Sequence, residues 1–186
     1  MAVPINIDVQ SGSRSYNRLD MQVTQALHMA IELFSDINFL LVMDYYDDIS
    51  IFDDSDNPQS VSYYQMKTSN DVITVNTILK ESWLPKLYEH LNDSPYLIEK
   101  LGLITNCSIK LDNQILQAER TEFSKINNNT VIKIKEDISK KMKIAVSEID
   151  LSKFIHIKTS LSIEKHRDIV EQELGDFLQQ GILKLH

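Results

Sequence analysis

The stretch at residues 38–67, NFLLVMDYYDDISIFDDSDNPQSVSYYQMK, narrows the possible folds more than any other part of the chain. Its β-branched and aromatic runs have strand character on both sides of DSDNPQ, a piece of turn chemistry. There Asp, Asn and Ser supply local side-chain hydrogen bonds, and Pro58 fixes a backbone angle. VSYYQMK is therefore one arm of a hairpin. The arm before the turn is either one long bent strand or two strands joined at residues 45–47.

Helical periodicity flanks this hairpin. Across residues 16–36, Leu19, Val23, Ala26, Leu27, Ala30 and Phe34 recur at three- and four-residue steps, which predicts an amphipathic helix with those side chains inward. TVNTILKESWLPKLYEHL has the same period through Ile78, Leu79, Trp83, Leu84, Leu87 and Leu91, and Pro85 is expected to kink or split it. LGLITNCSI reads as a buried strand, because its core is continuously apolar. KFIHIKTS alternates as another strand, and residues 162–180 predict a closing helix. Between them, residues 110–150 read as helical pieces interrupted by NNN at 127–129. Strands interleaved with helices give an α/β class, a sheet covered by helices.

At 186 residues and 42% hydrophobic, the chain can bury one sizeable core, and it is expected to form a single domain over 1–186 with the first 14 residues flexible. The single Cys107 excludes an internal disulfide and a cysteine-rich zinc site; it is expected as a small buried hydrophobe. The N-terminus lacks the basic start and apolar run of a signal peptide. The longest apolar stretch, INFLLVM, is far short of the roughly 20 residues a bilayer requires, so a cytoplasmic protein with no membrane partner is expected. A net charge of −8 argues against gripping nucleic acid by overall charge. The densest cationic segment, KIKEDISKKMK, carries Lys133, Lys135, Lys140, Lys141 and Lys143, either as a solvated face or as a phosphate-contacting strip. The five histidines show no metal-ligand spacing and are expected at surface or rim positions. No P-loop, dinucleotide or nucleophile-elbow motif occurs.

A turn centred between Asn57 and Pro58 predicts that Asp48 faces Lys67 and Ser50 faces Gln65. Asp48, Gln65 and Lys67 then cluster at the end of the hairpin remote from the turn. A carboxylate and an amide oxygen suit Mg²⁺, which takes few protein oxygens, and a lysine beside them can steady charge on phosphorus or orient and help deprotonate the attacking water. The same residues also read as an ordinary cross-strand ion pair with a polar rim glutamine.

MDYYDDISIF…SVSYYQMKTS, preceded by RLDMQVTQALHMAIELF, resembles the PD-(D/E)xK nuclease superfamily in its Mrr-like D-QxK form. It is more similar still to the double-stranded-DNA endonuclease effector domains of bacterial antiphage defence proteins, of the CBASS and STAND types. Asp47–Asp48–Ile49, Tyr64, Gln65–Met66–Lys67 and Thr68 fill the places of the family's acid pair, aromatic, QxK and following Thr. LITNCSIK and FIHIKTSLSIEKHRDIVEQELGDFL resemble its later strands and closing helix.

The resemblance implies a restriction-endonuclease-like αβββαβ core with a mixed central sheet flanked by helices. It implies Asp48 and Gln65 as ligands of Mg²⁺ or Mn²⁺, Lys67 as the catalytic lysine, and Asp47 as a supporting acid. Gln22 matches a helix Gln or Glu beside such sites, though it also reads as a helix-flank polar residue. Asp44 is either a further supporting acid or a strand-end carboxylate. The implied function is metal-dependent cleavage of double-stranded DNA, switched on by oligomerisation through an attached sensor domain or subunit absent from this chain. The alternative is a protein-interaction module that keeps the fold without catalysis. Cleavage of RNA or single strands would use the same metal chemistry.

Overall fold

The computed structural model describes residues 9–34, 38–112 and 114–183. Of the first fourteen residues, 1–8 lie outside the described part and 9–14 belong to the opening turns of helix α1, Val9–Leu33. The chain then forms strands β1 (Leu40–Met43), β2 (Ile49–Phe52) and β3 (Ser60–Lys67), followed by the short β4 (Ile73–Thr74). Helices α2 (Val75–Lys80) and α3 (Trp83–Asp93) precede β5 (Leu97–Thr105). Next come the short strands β6 (Ile109–Leu111), β7 (Gln114–Leu116) and β8 (Arg120–Glu122). Helix α4 (Asn128–Met142), strand β9 (Phe154–Lys158) and helix α5 (His166–Leu183) complete the order.

Six strands form the main sheet in the order β1-β2-β3-β5-β9-β8, and β4, β6 and β7 form a small second sheet. The main sheet is mixed: β1, β2 and β3 are antiparallel, β3, β5 and β9 are parallel, and β8 returns antiparallel to β9. The arm before the turn is thus two strands. Asp44, at φ 54°, turns the chain between them, and its N–H donates to the Asp48 carbonyl at 3.3 Å. Asp is among the few residues that enter this left-handed region readily.

Strand β3 lies between two cores, because successive side chains of a strand point to opposite faces. Val61 and Tyr63 pack with Leu84, Leu87 and Tyr88 of α3. Tyr64 and Met66 pack on the other side, with Met21, Ala26 and Met29 of α1 and Val170 of α5.

Three expectations are corrected here. The break in the second helical segment is at Ser82, in the left-handed conformation, while Pro85 sits in the first turn of α3, where a missing N–H leaves no bond unmade. The NNN run starts a helix rather than interrupting one: the Asn127 side chain accepts from the Thr130 N–H as an N-cap, and residues 109–122 hold three strands. The buried face of α1 is rotated from the expected one. Met21, Thr24, Gln25 and Met29 are buried, whereas Leu19, Val23, Leu27 and Phe34 are exposed. Polar ties to α5 set that rotation: Arg167 donates to both oxygens of Asp20 at 2.7–3.1 Å, and the His166 ring bonds the Thr24 hydroxyl at 3.0 Å. Cys107 is a free thiol of intermediate burial, packed against the core of the α3 side.

Candidate active site

The β2–β3 ladder pairs Ile49 with Tyr64 and Ser50 with Tyr63, a register two residues away from the expected one. Aspartate side chains upstream of Asn57 and Pro58 explain the offset. The Asp54 carboxylate accepts the N–H groups of Asp56 and Asn57 at 2.7 and 2.9 Å, and Asp53 accepts those of Gln59 and Ser60, both at 2.9 Å. The turn is thereby centred between Asp56 and Asn57. An even offset keeps every side chain on its face. One step past the last pair, Asp48 lies across from Gln65, and Lys67 follows on the same face.

Asp48 is half-buried at the start of β2, and its Oδ2 accepts the Met66 backbone N–H at 2.6 Å. Burial raises its carboxyl above the ordinary range, against the lowering influence of the Met66 N–H, the nearby Lys67 ammonium and the Gln22 side chain. The Lys67 ammonium is pushed in the opposite direction, lowered by burial and held up by Asp48 and Asp47. Its Nζ also stands 5.9 Å above the Trp83 ring. Desolvation thus moves both groups toward their neutral forms, while their mutual attraction opposes it.

Asp47 has a different setting. One carboxylate oxygen, Oδ1, accepts the Asp48 N–H at 3.1 Å and the Gln65 Nε2 at 3.3 Å. The other, Oδ2, lies 3.1 Å from His90 Nε2, with the two side chains only 6% and 10% exposed. Gln65 is itself buried, and its Oε1 has no hydrogen-bond partner.

Beyond the C-terminal end of β3, between α1 and the α2–α3 pair, a cleft of about 540 Å³ opens. Gln22 and Lys67 form part of its wall, together with Arg18, Trp83 and Lys86. A larger hollow of about 660 Å³ beside β7 and β8 shares none of these residues.

The fold therefore gathers Asp47, Asp48, Gln65, Lys67 and Gln22 at one place. It leaves out Asp44, which is exposed in the β1–β2 turn. None of the five lysines considered for nucleic acid lines the cleft either. Lys133 pairs with Asp112 at 2.9 Å, and Lys141 bonds Asp137, the Ser82 hydroxyl and the Leu79 carbonyl at the end of α2. Lys135 and Lys140 are carried on the same helix, α4, half-buried and exposed respectively.

Arg18, Lys86, Trp83 and His90 escaped the sequence reading. Arg18 is four residues before Gln22 and Lys86 three after Trp83, spacings that share a helix face. His90, three after Leu87, falls on the buried stripe of α3, not at its rim. His156 and His166 are buried as well, contrary to expectation.

Among the described residues, no group of three or more His, Cys, Asp or Glu side chains is arranged to hold a metal ion. Mg²⁺ takes a sparser donor set, one or two protein oxygens with the remaining positions left to water and phosphate. Beside the Asp48 carboxylate, the Oε1 of Gln65 is a neutral oxygen donor that no protein group engages. A buried polar atom without a partner carries a desolvation cost that a ligand relieves.

A family model described as "Cap4, dsDNA endonuclease domain" matches residues 10–186. The Lamassu protein LmuA of Bacillus cereus (strain VD014) is 32% identical over 174 residues, covering 91% of this chain and 48% of that protein. The chain thus spans about half the length of the curated relative it matches. In fold it is similar to the Acinetobacter baumannii Cap4 SAVED/CARF-domain containing receptor with the cyclic trinucleotide 2'3'3'-cAAA, with a TM-score of 0.51 and 20% identity over 85% of this chain and 35% of that one. A second structure of the Acinetobacter baumannii Cap4 SAVED/CARF-domain containing receptor gives a TM-score of 0.50 at 20% identity, over 85% of this chain and 36% of that one.

Proposed function

We propose, from the premise that this chain belongs to the Cap4 dsDNA endonuclease domain family, that it is the nuclease effector module of an antiphage defence protein and cuts double-stranded DNA with the help of a divalent cation. The observation that carries this reading is that Asp48, Gln65 with its unpartnered oxygen, and Lys67 share one face at the end of the β2–β3 hairpin, where Lys67 joins further cations in the wall of the cleft.

Asp48 and Gln65 would hold the cation, Mg²⁺ first and Mn²⁺ as a substitute. When bound, it supplies Lewis-acid polarisation of the scissile phosphate. Lys67, with its proton affinity lowered by burial, is suited to orient the attacking water and exchange a proton with it at Nζ. Gln22 steadies the Asp48 carboxylate from the α1 side. Arg18 and Lys86, with Lys67, give the cleft a positive character against one acid, Glu81, and suit it to the phosphates of the strand being cut. Water adds to phosphorus as the bond to the leaving sugar oxygen breaks.

The test is supercoiled plasmid incubated with Mg²⁺, Mn²⁺ or EDTA. Cleavage is expected with the metals and not with EDTA, and Lys67→Ala is expected to lose at least about two orders of magnitude of rate while its circular dichroism spectrum is unchanged. Equal cutting by wild type and Lys67→Ala, or no cutting under any condition even when the chain is fused to an oligomer-forming partner, would favour the non-catalytic interaction module. Plasmid against single-stranded DNA and RNA in the same assay separates the substrate classes.

A further inference from the structure

We infer that His90 is a positioning residue for metal binding: through Asp47 it fixes which end of the Gln65 amide is free to face a cation. This rests on the reading above, in which Asp48 and Gln65 hold the metal.

An amide serves a hard cation only through its oxygen, so the orientation of Gln65 decides whether the site exists. Its two ends are similar in size, and packing alone discriminates poorly between them. Asp47 discriminates chemically. An ionised carboxylate only accepts hydrogen bonds, so the Gln65 atom 3.3 Å from Asp47 Oδ1 has to be the amide nitrogen. Oε1 is then left at the other end, buried and without a partner.

Asp47 can do this only if its own rotation is fixed. Oδ1 also accepts the Asp48 N–H at 3.1 Å, and Oδ2 is held at 3.1 Å by His90 Nε2, which must be a donor toward a carboxylate. The imidazole is in turn immobilised on the buried face of α3. Its ring centroid lies 4.5 Å from that of Tyr63, tilted by 36°, and Tyr46 meets it edge-on at 6.1 Å. The Tyr63 hydroxyl is tied to Ser94, the C-cap of α3, at 3.2 Å. Orientation is thus passed from α3 to His90, to Asp47 and to Gln65. Outer partners that orient a metal ligand in this way typically contribute about 10–100-fold to metal affinity.

The alternative is that His90 merely fastens the β1–β2 connection to α3. The two roles separate in a comparison of His90→Gln with His90→Asn. The Gln side chain extends its terminal NH₂ about as far as imidazole Nε2, whereas that of Asn stops short. Both are polar and smaller than the ring, so a purely structural loss affects them alike. His90→Phe keeps a ring against Tyr63 and removes the donor.

The measurement is the dissociation constant for Mn²⁺, from electron paramagnetic resonance of the free ion, together with melting curves for each protein. Wild type and His90→Gln are expected to bind within about threefold of each other, and His90→Asn and His90→Phe at least about tenfold more weakly, all four folded. Asp48→Ala serves as the non-binding reference. Wild-type affinity in the folded Asn and Phe variants, with binding lost in Asp48→Ala, would overturn the role of His90 and leave the metal reading standing. Wild type binding no better than Asp48→Ala would overturn both. If His90→Asn unfolds while His90→Gln folds, or if all three His90 variants weaken binding equally, His90 belongs to the scaffold and the inference fails.

Discussion

Asp47 and Asp48 are adjacent in the chain and do opposite work. Asp47 directs its oxygens at protein donors on three sides, and Asp48 is left to hold charge against burial. Desolvated charges of this kind are costly to a fold and are concentrated at functional sites. A second buried group has a measurable effect away from the site. The Thr105 hydroxyl donates to the Cys107 carbonyl at 2.7 Å, so its contact with His156 Nε2 at 2.8 Å needs the ring to be the donor. Nδ1 is left buried and without a partner. Burial, with Lys158 nearby, lowers the His156 pKa from 6.5 to about 4. The unfolded chain therefore binds this proton before the folded one does as pH falls. Stability from this source is complete above pH 6.5 and is lost as pH drops toward about 4, amounting to the order of 3 kcal/mol. Urea midpoints at about pH 7 and about pH 4.5 are expected to differ more for wild type than for His156→Gln; equal differences would refute the account. This ring was expected at a surface or rim position, although the alternation of KFIHIK puts it on the same face as Phe154. The burial of His90 needed the helical phase of α3. Neither burial could be read from histidine spacing.

At the scale of elements, the hairpin and its side-chain parity were open to reading because strand alternation has a period of two, so an error of two residues in register does no damage to the face assignment. The phase of α1 was not. Its strongest aliphatic stripe, Leu19, Val23 and Leu27, is exposed, and the stripe that packs inward includes the polar Thr24 and Gln25; the bond of Thr24 to His166 of α5 is invisible to hydrophobic periodicity. The aspartate-built turn hid the register in the same way, since side-chain hydrogen bonds centred it ahead of the Asn–Pro pair. Packing of β3 on β5 carries a specific demand. Gly102 is the partner of Tyr64 in the parallel ladder, and a Cβ at Gly102 would overlap the Tyr64 ring. Gly102→Ala is expected to lower stability by about 1–3 kcal/mol through displacement of that ring, more than the smaller gain from a less flexible unfolded chain. An unchanged urea midpoint would show that the ring yields at no cost.

For the molecule as a whole, charge decides how it meets its substrate. A chain of net charge −8 with a short cationic cleft should hold a duplex weakly, and more weakly as salt rises. Copies held together by a partner domain share the DNA at high effective concentration. Fusion to an oligomer-forming partner is accordingly expected to raise plasmid cutting at physiological salt by at least about tenfold over the isolated chain. Equal rates per copy would remove the need for assembly. One consequence comes from β3 having a face in each core. Its backbone amides can exchange with solvent freely only when both layers come apart, so the strand that bears Gln65 and Lys67 should be among the last to open. Heat should then spare the proposed catalytic groups until the domain itself melts, so any regulation of the proposed activity would act on the encounter with DNA rather than on loosening the site.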